Sequence, residues 1–271
     1  MFGRKLFPFV ILFALIVAGC SSSRIIARRQ IENISLGESI RLDGDFDKAV
    51  TDPRGVTVFA MNRSSQEIHI FQDGKRMNSF GGLGFDRTSF QQLADIGVDT
   101  DGGLLALDTS LKILRKYTPE GRIIAELQLE SLQKPELFCV GDDGDLFVYD
   151  ATTSEIVCFS RLDGRELYRF GRFELEKPVW IACNHDLLYA YSHANDRTYV
   201  FYRLGQFKET ISGQVVYDMF NNRIDALSVL PEASALQPKV MNVSGDKLLL
   251  LFEGEIRTYR IDYARGEDAQ E

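Results

Sequence analysis

The side chains of this chain that could do chemistry are few and widely spaced. His69, His185 and His193 are its three histidines, and they fall in a strand-like segment, a turn and a loop. A metal centre needs ligands that converge and partners that orient them, so this spacing speaks against one. Asp108 and Asp150 hold matching places at the ends of two apolar runs, LLALD and LFVYD. With Asn195 or Glu253 they could make a weak Ca²⁺ site, since calcium takes carboxylate and amide oxygens. Asp and Asn are also the usual turn formers, which is the stronger expectation. No Walker-type glycine loop, serine-centred elbow or CxxC pair is present. The cluster Gly81-Gly82-Leu83-Gly84 follows a strand but opens no helix, so it reads as a junction between repeats rather than a phosphate cradle. With no nucleophile, base or metal set to name, the sequence predicts no catalytic residue and no cofactor.

Those residues sit in a chain of 271 with 45% hydrophobic and 26% charged residues and a formal net charge of −8. This composition is that of a globular protein, not of a disordered or polytopic membrane chain. The acidic balance excludes a generic nucleic-acid binder, which needs a basic face to replace phosphate counterions. Four cysteines are too few for a disulfide-stapled scaffold.

Residues 1–20 read as a processing signal. Arg4 and Lys5 precede an uncharged run of 14 residues, Leu6 to Gly19, shorter than the roughly 20 apolar residues a spanning helix needs and suited to a secretory h-region. Val17-Ala18-Gly19-Cys20 resembles the lipobox of bacterial lipoproteins. The resemblance implies a signal peptide over 1–19, acylation and cleavage at Cys20, and a lipid anchor in the membrane. Ser21, Ser22 and Ser23, with no Asp after the cysteine, imply the outer membrane of a double-membrane bacterium. Residues 20–30 then form a polar tether, 31–266 one domain and 267–271 a tail.

Within that domain a unit recurs: an apolar strand, an Asp/Gly turn, a strongly apolar strand, a polar loop, an alternating strand, a Gly turn and a last strand. The second strands are Val56–Ala60, Leu104–Asp108, Leu146–Asp150, Leu187–Tyr191 and Leu248–Phe252. The glycines that follow the third strands, Gly74, Gly121, Gly164, Gly205 and Gly266, are separated by 47, 43, 41 and 61 residues. Four-stranded repeats of about 40–45 residues are propeller blades. A two-sheet sandwich, the main alternative, gives no reason for such a period. The sequence therefore predicts an all-β propeller of five four-stranded blades near 45–84, 88–130, 131–173, 174–213 and 236–266. The last blade lacks an outer strand, which Gln30–Gly37 can supply, closing the ring and removing an exposed edge. The 61-residue gap leaves too little for another full blade of about 40 residues. Residues 214–235 thus read as an insertion, with six blades, one irregular, as the alternative.

The repeats also resemble the NHL family of propellers. The resemblance rests on Ile96-Gly97-Val98-Asp99 running through Asp101-Gly102 to Leu104–Asp108, on Lys134-Pro135 and Lys177-Pro178 opening blades, and on Phe80-Gly81 and Phe170-Gly171 closing them. It is strongest in blades two and three. Blade five lacks the Asp, and blade four has His185-Asp186 where the others have a glycine turn.

In a propeller, the loops from second to third strand and the connections between blades share one face. The insertion, a blade connection, is expected there. Its Tyr217, Met219, Phe220, Arg223 and Ile224, with Arg63, His193 and Asn195 in neighbouring loops, form the candidate partner-binding site. The competing expectation for the insertion is a lid packed on its own ring, because so apolar a segment must bury its surface. Cys139 and Cys183 lie in first strands of adjacent blades and could approach each other, while Cys158 lies in a third strand. These features predict a lipid-anchored scaffold with a protein partner in the envelope. The alternatives are a divalent-metal hydrolase or lyase using the channel and a glycan or peptidoglycan binder using the same loops.

Overall fold

The apolar second strands form the middle of five antiparallel sheets, because a strand covered on both faces must be hydrophobic on both. The computed structural model describes residues 29–118, 120–230 and 237–264; the leader, Cys20, most of the tether, residues 231–236 and the tail lie outside these. Strand β1 (Ile31–Arg41) comes first and belongs to the last blade. Blade one is β2 (Lys48–Thr51), β3 (Thr57–Asn62), β4 (Glu67–Gln72) and β5 (Lys75–Gly81). Blade two is β6 (Leu93–Val98), β7 (Leu104–Asp108), β8 (Ile113–Tyr117) and β9 (Ile123–Gln128). Blade three is β10 (Pro135–Val140), β11 (Leu146–Asp150), β12 (Glu155–Phe159) and β13 (Glu166–Phe170). Blade four is β14 (Trp180–Cys183), β15 (Leu187–Ser192), β16 (Arg197–Tyr202) and β17 (Phe207–Ser212).

A two-stranded hairpin follows, β18 (Val215–Tyr217) and β19 (Arg223–Asp225), with a single helical turn α1 (Ala226–Val229). Blade five is β20 (Val240–Ser244), β21 (Lys247–Phe252) and β22 (Glu255–Tyr263), completed by β1 on its outer edge. The expected closing strand is thus present and longer than the segment that announced it. β1 pairs antiparallel with β22, Ile34 opposite Ile261 and Ile40 opposite Ile256. Ile40 is fully buried, so the closure is an apolar contact as well as a hydrogen-bonded ladder.

The first strands of neighbouring blades lie side by side around the axis: β2 by β6, β6 by β10, β10 by β14, and β20 by β2. The hairpin fills the remaining gap. β18 lies against β20, and the Tyr189 hydroxyl of blade four donates to the Tyr217 carbonyl at 3.1 Å. The architecture is a five-bladed propeller with this wedge between its fourth and fifth blades.

In blades one, three and four exposure begins at the fourth strand, whereas the third strands of blades two and five, β8 and β22, mix buried with part-exposed residues. The central residues of β4, β12 and β16 are buried, while β5, β9, β13 and β17 are mostly exposed or half-buried. Neighbouring sheets face each other out to the third strand: Ile68 and Ile70 of β4 share one core with Leu93 and Ile96 of β6. Gly97 marks a close approach between blades two and three, since a Cβ there would lie 2.7 Å from the Phe138 ring.

Candidate functional site

Five first strands converging on an axis leave a channel, and its filling decides where a ligand can enter. Of two concavities at the ends of the channel, one of about 500 Å³ opens among the turns that join first to second strands. Its apolar wall includes Ile96, Phe138, Val140, Ile181 and Met219. Hydrogen-bonding groups at its mouth come from Thr100, Asp142, Asn184, Asn242 and Ser244. A smaller concavity of about 340 Å³ opens on the opposite face, among Arg63, Gln66, Gln92, Glu136 and Pro178.

A buried ion pair stands between the two. Lys48 lines the larger cavity and Ala94, next to Asp95, lines the smaller; Lys48 Nζ lies 2.6 Å from Asp95 Oδ1. Asp95 also accepts the Phe138 N–H at 2.9 Å, so one carboxylate ties the first strands of blades one, two and three. Its desolvation is offset by this full set of partners.

The turns at the wide mouth are held by local chemistry. Gly102 and Gly144 both take φ +87, a conformation that costs glycine little. Blade four has no glycine here, and Asn184 substitutes by a different route. Its side-chain oxygen accepts the N–H groups of Asp186 and Leu187 at 3.0 and 2.8 Å. Its amide donates to the Asp218 carbonyl at 2.8 Å and to Asn221 Oδ1 at 2.9 Å. This missing glycine is where the hairpin tip docks. Asp218 is itself a turn clamp, accepting the N–H groups of Phe220 and Asn222, each at 2.8 Å.

Electrostatics at the mouth are mixed. Partial burial raises the Asp142 carboxyl above the usual carboxylate range, with His185 and Arg203 pulling it back. Arg203 donates to Asp143 Oδ1 at 2.7 Å across the seam of blades three and four. Asp101 is held low by the hydrogen bond from Lys116, 2.6 Å away.

The structure scatters the residues singled out in the sequence. Tyr217 and Met219 line the wide mouth. Tyr217 is nevertheless 6% exposed and Ile224 1%, both inside the core shared by blades four, five and one. Ile224 therefore presents nothing to a partner. Phe220 packs edge-on against Tyr263, centroids 4.8 Å apart, and Arg223 pairs with Asp225 at 2.7 Å. The hairpin is built into the wall, with its tip at the turn face, rather than laid over the loop face. Arg63 lines the smaller cavity, but its guanidinium donates to the Ala94 carbonyl at 2.8 and 3.1 Å. Asn195 donates to Glu176 at 2.8 Å and to the Tyr199 hydroxyl at 2.6 Å, and exposed His193 lies beside Tyr191.

Asp108 and Asp150 have equivalent structural tasks. Asp108 accepts the N–H groups of Gln91, Gln92 and Leu111 at 2.8, 3.3 and 3.1 Å. Asp150 accepts those of Gln133, Lys134 and Thr152 at 2.7, 3.0 and 3.0 Å. Each is fully buried and fastens a blade's second strand to the incoming connection and the outgoing turn. Among the described residues no three His, Cys, Asp or Glu come together as metal ligands.

Asn184 and Asn242 were not singled out by the sequence. Asn184 had a positional signal, since it opens the turn after β14 as Asp99 opens the turn after β6; Asn242 lies inside β20, opposite Leu249, and nothing in the sequence set it apart.

No family model matches the chain, and no curated protein matches it. Solved structures do. A catalytically inactive variant of virginiamycin B lyase from Staphylococcus aureus, with quinupristin, superposes at a TM-score of 0.52 and 12% identity, over 82% of this chain and 83% of that one. A streptogramin B lyase structure gives 0.52 and 12%, over 85% and 98%. At this identity the likeness is one of fold, the β-propeller.

Proposed function

We propose that this is a lipid-anchored β-propeller of NHL-like repeats in the bacterial cell envelope, a scaffold that binds a protein partner at the wide mouth of its channel. The observation that carries the site is the cavity of about 500 Å³ with an apolar wall and a rim of amide, hydroxyl and carboxylate groups. A rigid concave surface of that kind takes a loop or peptide segment at small ordering cost.

The lipobox-like Val17-Ala18-Gly19-Cys20 supports the anchor, and the serines after it support the outer membrane. Where the chain enters the ring gives the anchor a mechanical meaning. Ile31 of β1 lies opposite Tyr263, and the Asn222 amide at the hairpin tip donates to the Arg29 carbonyl at 2.7 Å. The tether thus joins the propeller on the face that carries the wide mouth. Residues 21–28 at full extension reach about 30 Å, which keeps this mouth near the bilayer and favours a membrane-associated partner.

The test is capture from detergent-solubilised envelopes with the tagged protein. One stoichiometric partner is expected, and Met219→Arg or Asn242→Arg is expected to release it while thermal stability is kept. Unchanged capture by both variants contradicts the reading.

The second reading is an enzyme, a divalent-metal hydrolase or lyase working at the same mouth. It is favoured by the lyases among the structural neighbours. Stoichiometric divalent-metal binding that is lost in Asp142→Asn would move the weight to it.

A further inference from the structure

Three of the cysteines fall among the described residues, and their placement is unequal. Cys139 of β10 and Cys183 of β14 lie on adjacent first strands. They flank the same cavity and pack against the same core between blades three and four. Both residues are half-buried, and each lines that cavity from its own strand. Cys158 is buried in β12, separated from Cys139 by strand β11: Cys139 is opposite Phe147, and Phe147 is opposite Cys158. Two strand spacings are about 9.6 Å, beyond the roughly 7 Å between Cα atoms that a disulfide spans. Among the described cysteines, Cys139 and Cys183 are the two that share a cavity wall on contacting strands.

We propose that Cys139 and Cys183 are an oxidation site that closes to a disulfide, tying blade three to blade four in the wall of the channel. The oxidant is a disulfide of a small thiol or of an oxidoreductase. One cysteine, as thiolate, attacks that disulfide and forms a mixed disulfide, releasing the first thiol. The second cysteine attacks the mixed disulfide and releases the other. Two S–H bonds are lost, one S–S bond forms, and the two electrons reduce the oxidant to two thiols.

Burial, with the Cys183 thiol beside it, pushes the Cys139 thiol well above its ordinary range, so closing is slow and the closed bridge is sheltered. The seam it would fasten is already crossed by Arg203 to Asp143, at 2.7 Å, and by the Tyr168 hydroxyl to the Arg203 carbonyl, at 2.6 Å. The chemistry stands on the geometry alone. Export, part of the function proposed above, adds the compartment in which such oxidants prevail.

The experiment uses the full-length protein, purified reduced in detergent and incubated to completion with oxidised glutathione. Peptide mass mapping without reduction is expected to show the peptides carrying residues 139 and 183 joined, lighter by two hydrogen atoms, with Cys158 still free. The melting temperature is expected to rise by several degrees, and the rise to vanish in Cys183→Ala. Glutathione adducts on Cys139 or Cys183 without a crosslink, persistent free thiols, or a crosslink to Cys158 would each overturn the proposal. Mapping of the wild-type chain decides the matter even if the variant fails to fold. Because no partner or membrane enters this assay, its failure is separate from failure of the scaffold reading.

Discussion

The Lys48 ammonium and the Asp95 carboxylate meet at 2.6 Å with side-chain exposures of 8% and 0%, between the two cavities of the channel. Lys48 also lies 5.8 Å from the centre of the Phe138 ring. The pair therefore joins the first strands of three blades at one point.

Removing one member should strand the other. Lys48→Met is expected to cost about 3–5 kcal/mol, the usual penalty for an uncompensated buried charge. Asp95→Asn added to it should recover part of the loss, because the amide oxygen can still accept the Phe138 N–H without carrying charge. Urea unfolding of the two variants and of wild type measures both steps. A loss under about 1 kcal/mol for Lys48→Met would contradict this buried inter-blade linkage.

The strand-end carboxylates make a second prediction. Asp150→Ala leaves three backbone N–H groups without their acceptor and should cost about 2–4 kcal/mol, with Asp108→Ala similar. Calcium or a chelator should leave the wild-type melting temperature unchanged, because these carboxylates are already fully engaged. A calcium-dependent melting temperature that is lost in Asp150→Ala would reverse the assignment.

Ring closure rests on β1. Ile40→Ala should cost about 2–5 kcal/mol, as for other buried large-to-small changes. Deletion of residues 31–41 should leave the β22 edge unpaired and drive self-association, read by light scattering. A monomeric deletion variant of unchanged stability would show that closure does not need this strand.

Stability should be lost on acidification. Asp101, Glu166 and Glu255 are each held below the usual range by a hydrogen bond from Lys116, Arg169 and Arg257 respectively, and Ser39 of β1 also donates to Glu255. A lowered carboxyl binds fewer protons folded than unfolded. It therefore contributes stability above about pH 4, the unfolded value, and loses it as pH falls through its own lowered value. Asp142, raised mainly by burial, has the opposite sign, so Asp142→Asn should slightly increase stability at neutral pH. Urea midpoints from pH 7 to pH 3 should be flat and then fall below about pH 4; midpoints that rise on acidification would contradict the assignment.

The ring was legible because its signals are periodic and local. Apolar second strands and turn glycines recur with each blade, and an unpaired last blade called for a strand from elsewhere in the chain. The hairpin was only half legible. The apolarity of the insertion announced burial, though Ile224 was read as a partner contact, but three-residue strands show no period, and the docking of the tip through Asn184 depends on a contact across 34 residues. The wide mouth was hidden for a related reason: its rim comes from turns whose Asp and Asn residues read as ordinary turn formers. Most of those side chains do hold turns, and only their arrangement around the axis makes a site.

The face that meets a partner decides how this propeller works. A photoreactive amino acid placed at Met219, on the wide mouth, is expected to crosslink one envelope protein in intact cells. The same probe at Phe85, 94% exposed in the connection between blades one and two, is expected to give none. The reverse pattern, or no crosslink from Met219, would contradict the proposal that the channel mouth is where this propeller binds.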